Sequence, residues 1–372
     1  MRAVVIVMDG CGAGAAPDHK AFKDGPAVST LANVWNACGG LRTPNLDQLG
    51  LFTAAGVGSS VSGRFGRLRP LSQGKDSVTG HWEMMGVVTK VAFPTYPDGF
   101  PLDLVKAFER EAGVQTIGNR AASGTQIIAE LGEQHLETHC PILYTSADSV
   151  FQLAAHEDIV PIEKLYEWCR IARRLCVAPN NVQRIIARPF TGEPGAFTRT
   201  ERRKDFPLEP PPNLLDKIGD VMGVGVVPEL FDGRGFRPSR RTQSNKEHRE
   251  ALFEALQTDA RFIFANFEDF DMLYGHRQDP AGFGKCLEEF DVTVGEVLAK
   301  LGPEDLLILT ADHGNDPTDD STDHTREYSP VVLHALNLSA RNLGDCDGLT
   351  AVGKTVADWI GVPWSVGTSL LS

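Results

Sequence analysis

The sequence predicts an α/β protein whose mainly parallel sheet is flanked by helices and interrupted by a smaller inserted α/β cap domain. Three observations point there. Apolar, β-branched runs recur at 3–8, 262–265 and 306–310, each ending in acidic residues. Apolar residues at helical spacing lie between the last two runs. Two proline-rich segments bracket a middle region of different texture.

The run Ala3-Val-Val-Ile-Val-Met8 has no polar alternation, as in a strand buried on both faces of a parallel sheet. Asp9-Gly-Cys-Gly-Ala-Gly14 then turns the chain. Phe262–Ala265 leads to Asp269 and Asp271, and Leu306–Thr310 leads to Asp312-His313. Leu287, Phe290, Val294, Val297, Leu298 and Leu301 mark one face of a crossover helix. Strand–helix–strand alternation makes a parallel sheet, and such sheets bind ligands beyond the carboxyl ends of their strands, where the acidic residues fall.

In the middle region, helices are expected at Leu102–Ala112 and Ile162–Leu175, and short strands at Ile142–Tyr144 and Arg184–Ala187. Phe93-Pro-Thr-Tyr-Pro-Asp-Gly99 and Pro207-Leu-Glu-Pro-Pro-Pro-Asn213 read as the hinges of an insertion. The expected organisation is a discontinuous metal-binding catalytic core, 1–93 and 210–372, with a cap at 94–209.

A net charge of −13 argues against nucleic acid as a general partner, which would call for a basic face. Seven cysteines, scattered and without C-x-x-C spacing, argue against a disulfide framework or zinc knuckle, so a reducing cytoplasm is the expected setting. Asp9 cuts the first apolar run far short of a signal-peptide core or membrane span. No membrane and no obligate protein partner is expected.

Asp9, Asp271, His276, Asp312, His313 and His324 supply three carboxylates and three imidazoles at one sheet edge, enough for two divalent metals. Two metals about 3.5–4 Å apart clamp the attacking and leaving oxygens of an in-line phosphoryl displacement. A single Asp after a strand is more often a turn residue or helix cap, but three strand ends with acid–imidazole groups are hard to obtain by chance. Ser77 and Thr79 stand just ahead of a helix-capable stretch at His81–Met85. Alone, Thr79 reads as an N-cap; beside two metals it reads as a nucleophile. Arg184, Arg188, Arg199, Arg202 and Arg203 crowd into twenty residues, suited to grip a phosphate, although most of five such arginines would be solvated surface. Tyr144–Ser149 and His156–Asp158 add polar groups able to meet sugar hydroxyls.

Met8-Asp-Gly with Gly12 and Gly14, Gly74-Lys-Asp-Ser-Val-Thr-Gly-His-Trp-Glu83, Tyr144-Thr-Ser-Ala-Asp-Ser149 and Ile186-Ala-Arg-Pro-Phe190 resemble the phosphopentomutases. So do Asn266-Phe-Glu-Asp-Phe-Asp271 with Gly275-His-Arg277, Thr310-Ala-Asp-His-Gly-Asn-Asp-Pro-Thr318 and Thr322-Asp-His-Thr-Arg-Glu327. The resemblance runs nearly the whole chain in order. It departs at Asp9-Gly-Cys and at Met272-Leu-Tyr274, neither of which removes a ligand.

The resemblance implies an alkaline-phosphatase-like core related to cofactor-independent phosphoglycerate mutase. It implies one metal held by Asp9, Thr79, Asp312 and His313 and another by Asp271, His276 and His324, with manganese the usual ion. Thr79 is implied to carry the transferred phosphate, and Asp148, Arg188 and Arg203 to contact substrate. The implied reaction interconverts ribose 1-phosphate or 2-deoxyribose 1-phosphate with the 5-phosphate, through a phosphothreonine enzyme and a 1,5-bisphosphate. A sugar bisphosphate such as glucose 1,6-bisphosphate is the implied activator. On the residues alone, a metal-dependent phosphatase or sulfatase, a phosphoglycerate-mutase-like enzyme and an inactive metal-stabilised binding protein remain open.

Overall fold

The computed structural model describes residues 1–59, 62–146 and 149–372. They divide into two compact units, Met1–Ala92 with Pro210–Ser372, and Phe93–Glu209.

Among the described residues, the first unit carries a seven-stranded sheet. Its strands are β1 (Arg2–Met8), β2 (Arg64–Arg69), β3 (Met222–Val224), β4 (Phe262–Phe267), β5 (Asp305–Thr310), β6 (Ser329–His334) and β7 (Arg341–Asp347). The spatial order is β7-β2-β6-β5-β1-β4-β3. Only β6 opposes its neighbours β5 and β2; the remaining pairs are parallel. The expectation of a mainly parallel sheet is met. Residues 3–8, 262–267 and 305–310 are buried throughout, as their unbroken apolar runs require.

The helices of this unit that matter for the site are α1 (Thr30–Ala37), α2 (Ser77–Met84), α3 (Asn245–Leu256), α4 (Pro280–Leu298) and α5 (Thr350–Ile360). The crossover helix α4 buries Leu287, Phe290, Val294 and Val297, with Leu298 and Leu301 packed at the margin of the same core. That core also takes Val4, Ile6, Ile263, Ala265, Leu307 and Leu309 from β1, β4 and β5.

Strand direction brings the functional segments to one edge. The central neighbours β5, β1 and β4 all finish there, releasing Asp312, Asp9 and Asp271. Because β6 runs the opposite way, the segment before it, with His324, starts from the same edge. The end of β2 leads from that edge into α2, which bears Thr79.

The second unit has a sheet of its own, strands 117–121, 142–145, 150–156, 184–191 and 198–199 in that order, with 204–207 also on 184–191. Helices Leu102–Ala112 and Ile162–Leu175 pack on one core with Phe151, Leu153 and Ile185. Helix Gly124–Thr138 covers a smaller one containing Ile142, Tyr144, Ala154 and Phe190. The strand expected at 184–187 continues to 191, with Pro189 paired to Ala155 on one side and falling, on the other, between the stretches paired by 204–207 and 198–199. No helix among the described residues is long and apolar enough to cross a membrane.

Candidate metal centre

Asp9, Asp271, Asp312 and His313 are all buried at the sheet edge. His313 Nδ1 faces the carbonyl of Gly314 at 3.1 Å, which fixes the proton on that nitrogen and leaves a lone pair on Nε2. That Nε2 lies 3.4 Å from Asp9 Oδ1 and 3.2 Å from Asp312 Oδ2. Neither of these two carboxylate oxygens has a hydrogen-bond partner. The other oxygen of Asp9 accepts from Asn266 Nδ2 at 2.6 Å, and Asp312 Oδ1 accepts from the Gly10 N–H at 3.2 Å. Each carboxylate is thus held by one oxygen and presents the other towards His313.

A second cluster adjoins the first. His276 Nδ1 faces the Thr322 carbonyl at 2.7 Å, so its Nε2 also points a lone pair inward. It lies 3.1 Å from Asp271 Oδ2 and 3.1 Å from His324 Nε2, and His324 Nε2 lies 3.3 Å from Asp271 Oδ1. Asn315 donates to Asp271 Oδ1 at 2.7 Å. The His313 and His324 rings are 3.9 Å apart, joining the clusters.

The electrostatics of the clusters differ. Burial, then Asp312 and Asp271, pushes Asp9 well above the usual carboxylate range. Burial opposes ionisation of Asp271 too, but His324, His276 and His313 outweigh it and hold that carboxyl well below the usual range. For Asp312, burial is overcome by His313 and His81, and the carboxyl is held down at about 2. Converging lone pairs, partnerless buried carboxylate oxygens and three acids in low dielectric together make a donor set suited to divalent cations. Potential ligand atoms of Asp9, Asp312 and His313 lie within 4.8 Å of one another, and so do those of Asp271, His313 and His324, so His313 is common to both groups.

Thr79 is placed differently from the N-cap expectation. The helix begins at Ser77, not at His81, and its cap is Asp76. Asp76 Oδ1 accepts from the Thr79 N–H at 3.1 Å and Oδ2 from the Thr79 hydroxyl at 2.6 Å. An acidic cap three residues upstream satisfies the orphan amide, so Thr79 is left inside the first turn with its hydroxyl oriented. Thr79 lines the same crevice as Gly80, Asp312 and His313. A side chain at Gly80 would meet Asp312 Cβ at 2.7 Å, so α2 rests directly on the Asp312 loop. Ser77 Oγ adds a contact of 3.2 Å to His313 Nε2.

Residue-type reasoning gave no role to Asp76, Asn266 and Asn315. Their signal was a buried amide, or a cap, standing beside a ligand in a motif already singled out.

Of the expected substrate contacts, Asp148 lies outside the described residues. Arg188, on strand 184–191 of the second unit, is half-buried and donates from Nε to Gln152 Oε1 at 3.1 Å. Burial, then Arg203, holds its guanidinium below its ordinary value. Arg203 forms a bidentate pair with Asp205 at 2.8 and 2.7 Å. Arg202 pairs with Glu157, so it is a surface ion-pair residue. His156 spends both ring nitrogens internally, on the Gly192 carbonyl and the Asp158 N–H, and is buried. The polar string 156–158 is therefore structural at its histidine.

Residues 214–363 match the model of the Metalloenzyme superfamily. A phosphopentomutase of Symbiobacterium thermophilum is 49% identical over 375 residues, covering 97% of this chain and 95% of that protein. One from Dictyoglomus thermophilum is 46% identical over 384 residues, covering 100% and 98%. Among solved structures, a Pyrococcus horikoshii protein aligns over 99% of this chain and 98% of its own at a TM-score of 0.50 and 14% identity, a likeness of fold. Full-length identity at this level, together with the superfamily match over the segment that bears five of the six carboxylates and imidazoles of the two clusters, places the chain in the phosphopentomutase family.

Proposed function

We propose that the protein interconverts the 1- and 5-phosphates of ribose or 2-deoxyribose, with Thr79 as the residue that carries the transferred phosphate. As a member of its family it is an isomerase that acts as an intramolecular phosphotransferase. The observation that carries the residue assignment is the seat of Thr79: its hydroxyl is fixed by Asp76 in the first turn of a helix that rests on Asp312.

Asp9, Thr79, Asp312 and His313 would hold one divalent ion, and Asp271, His276 and His324 the other, with manganese the favoured ion. Bound there, the metals supply positive charge to the phosphoryl group in flight. The protein's own contribution is orientation. Asn266 and Asn315 restrain two of the carboxylates, and the backbone carbonyls of Gly314 and Thr322 set two imidazole tautomers.

In the proposed cycle phosphorylated Thr79 donates to O5 of the sugar 1-phosphate. The phosphorus–Oγ1 bond breaks, a phosphorus–O5 bond forms, and the 5-hydroxyl proton is passed to the Thr79 oxygen. The 1,5-bisphosphate then returns its C1 phosphate to Thr79: the phosphorus–O1 bond breaks, a phosphorus–Oγ1 bond forms, the Thr79 proton passes to O1, and the sugar leaves as the 5-phosphate. A sugar bisphosphate such as glucose 1,6-bisphosphate would prime the enzyme by phosphorylating Thr79. Arg188 and Arg203, with Asp148, would hold the phosphate and sugar that are not reacting. The surplus of guanidinium charge around Arg188 favours an anion.

The test is conversion of ribose 1-phosphate to ribose 5-phosphate with manganese and a trace of sugar bisphosphate, for wild type and Thr79→Ala. Isomerisation by the wild type alone is the expected result. Free phosphate without isomer would make the protein a phosphatase, and an active Thr79→Ala enzyme would remove Thr79 from the mechanism.

A further inference from the structure

We infer that Arg326 and Glu83 are positioning residues that set the nucleophile's register against the metal loops; this rests on the reading of Thr79 as nucleophile. Both are essentially inaccessible to solvent, at 1% exposure each. A charged side chain at that depth must have its hydrogen-bonding capacity met, and both do.

All five N–H groups of the Arg326 guanidinium are used. Nε and Nη2 grip Asp18 at 3.0 and 2.9 Å, and Nη2 also reaches the Pro70 carbonyl at 2.9 Å. Nη1 donates to the carbonyls of Ser72 at 2.9 Å and Gly74 at 2.7 Å. Glu83 takes the opposite polar edge of the same loop. Its carboxylate accepts from the N–H groups of Leu71 at 3.0 Å and Ser72 at 2.7 Å, and from that of Leu349 at 2.8 Å.

The segment 70–74 is thus clamped by a cation on its carbonyls and an anion on its amides. It has no regular structure of its own, yet it leads straight into the Asp76 cap and Thr79. A side chain at Gly74 would stand 2.6 Å from Thr79 Oγ1, so the last clamped residue lies against the hydroxyl itself. The other end of the clamp is the metal segment. Arg326 follows His324 by two residues, and Lys75 bridges Asp24 and Asp323 at 3.0 and 3.2 Å. The Arg326 N–H donates to the other oxygen of Asp24 at 2.6 Å. Any shift of the loop would therefore move Thr79 relative to His324 and Asp312 together.

Misplacing a reacting group by about 1 Å costs on the order of 10²-fold in rate. Arg326→Lys retains the charge but offers three donors in place of five, so acceptors among 70, 72, 74 and Asp18 go unmet. Glu83→Gln retains shape but turns one acceptor oxygen into a donor facing N–H groups. Both variants are to be assayed for isomerisation with manganese, with bound metal and melting temperature measured on the same samples.

The expected result is kcat lower by about 10²-fold per folded, two-metal chain, with KM changed by less than about threefold. A residue that only stabilised the fold would change the folded fraction and leave kcat per folded chain intact. A kcat within about threefold of wild type in either folded variant would overturn the inference. If one variant fails to fold, the other decides; failure of both would overturn it too, by assigning the pair to folding alone. Thr79→Ala separates the two readings. If it is inactive while Arg326→Lys is normal, only the positioning inference fails; if it isomerises, the nucleophile assignment fails first.

Discussion

The two units bury charge in opposite ways. At the sheet edge of the first, three carboxylates and three imidazoles converge, two of the imidazoles with an Nε2 lone pair inward, and Asp9 and Asp312 each keep one buried oxygen without a hydrogen bond. In the second unit the partly buried cations mostly find partners within the unit. Arg173 donates to the carbonyls of Cys176 and Val182, and Arg203 is paired with Asp205. Its surplus is positive and modest, around Arg188. The first unit leaves acid oxygens for cations to meet, whereas the second meets most of its charges from within.

The sharpest way to break this contrast is at Asp312. Asp312→Asn removes a buried ligand charge, and turnover is expected to fall by about 10³-fold, with bound metal dropping from two ions to one. Elemental analysis and the isomerisation assay check both halves, and an active variant with two ions would end the comparison.

Chelation should separate the units by stability. Metal at about a hundred times its dissociation constant contributes about 2.7 kcal/mol, so chelator should lower the melting temperature and speed amide exchange around residues 9, 271 and 312. Peptides from 100–200 should exchange as before. Without metal, Asp9→Asn should be more stable than wild type by about 1 kcal/mol, because it relieves acid repulsion; with metal it should be the less stable.

In the second unit, Arg188→Ala should raise KM by about 30-fold, the loss of about 2 kcal/mol expected for a charged hydrogen bond, at unchanged metal content. Equal KM values would remove Arg188 from substrate binding.

The smallest effect concerns a buried neutral base in the first unit. Burial holds His248 down at about 4, while Thr242 Oγ1 lies 2.7 Å from its Nδ1. The unfolded chain binds the proton more readily, so this contribution is complete above about pH 6.5 and is lost as pH falls towards 4. His248→Asn should therefore lose less stability than wild type over that window, by at most on the order of 2 kcal/mol. Parallel unfolding curves at each pH would refute it.

The difference between the units also governs what could be read from sequence. The strands β1, β4 and β5 are buried on both faces, so an unbroken apolar run identifies each, and the acids that follow are conspicuous. The crossover helix and the two long helices of the second unit announce themselves by period. By contrast β2 and β7 read Arg-Phe-Gly-Arg-Leu-Arg and Arg-Asn-Leu-Gly-Asp-Cys-Asp, without an apolar run. They are strands because β2 pairs with β6 on one side and β7 on the other, a partnership only the fold supplies, and it sets Arg67 and Arg69 opposite Asp345 and Asp347. Asp76 was hidden for a similar reason. A cap is recognised from the helix start, and the glycine at 80 and histidine at 81 blur that start. The enclosure of Arg326 was illegible too, because nothing local indicates that a guanidinium will be surrounded by carbonyls 252 to 256 positions away.

The position of β1 has a consequence for how the chain is made. The strand that comes first in chain order among those described lies in the middle of the sheet, flanked by strands that begin at residues 262 and 305. Its six enclosed residues, Ala3 to Met8, have no lasting place until most of the polypeptide has followed. During that interval two open strand edges are available to any neighbour, the situation that invites association between nascent chains. The meeting of residues as far apart as Asp9 and His324, joined through His313, would then report that this unit has assembled.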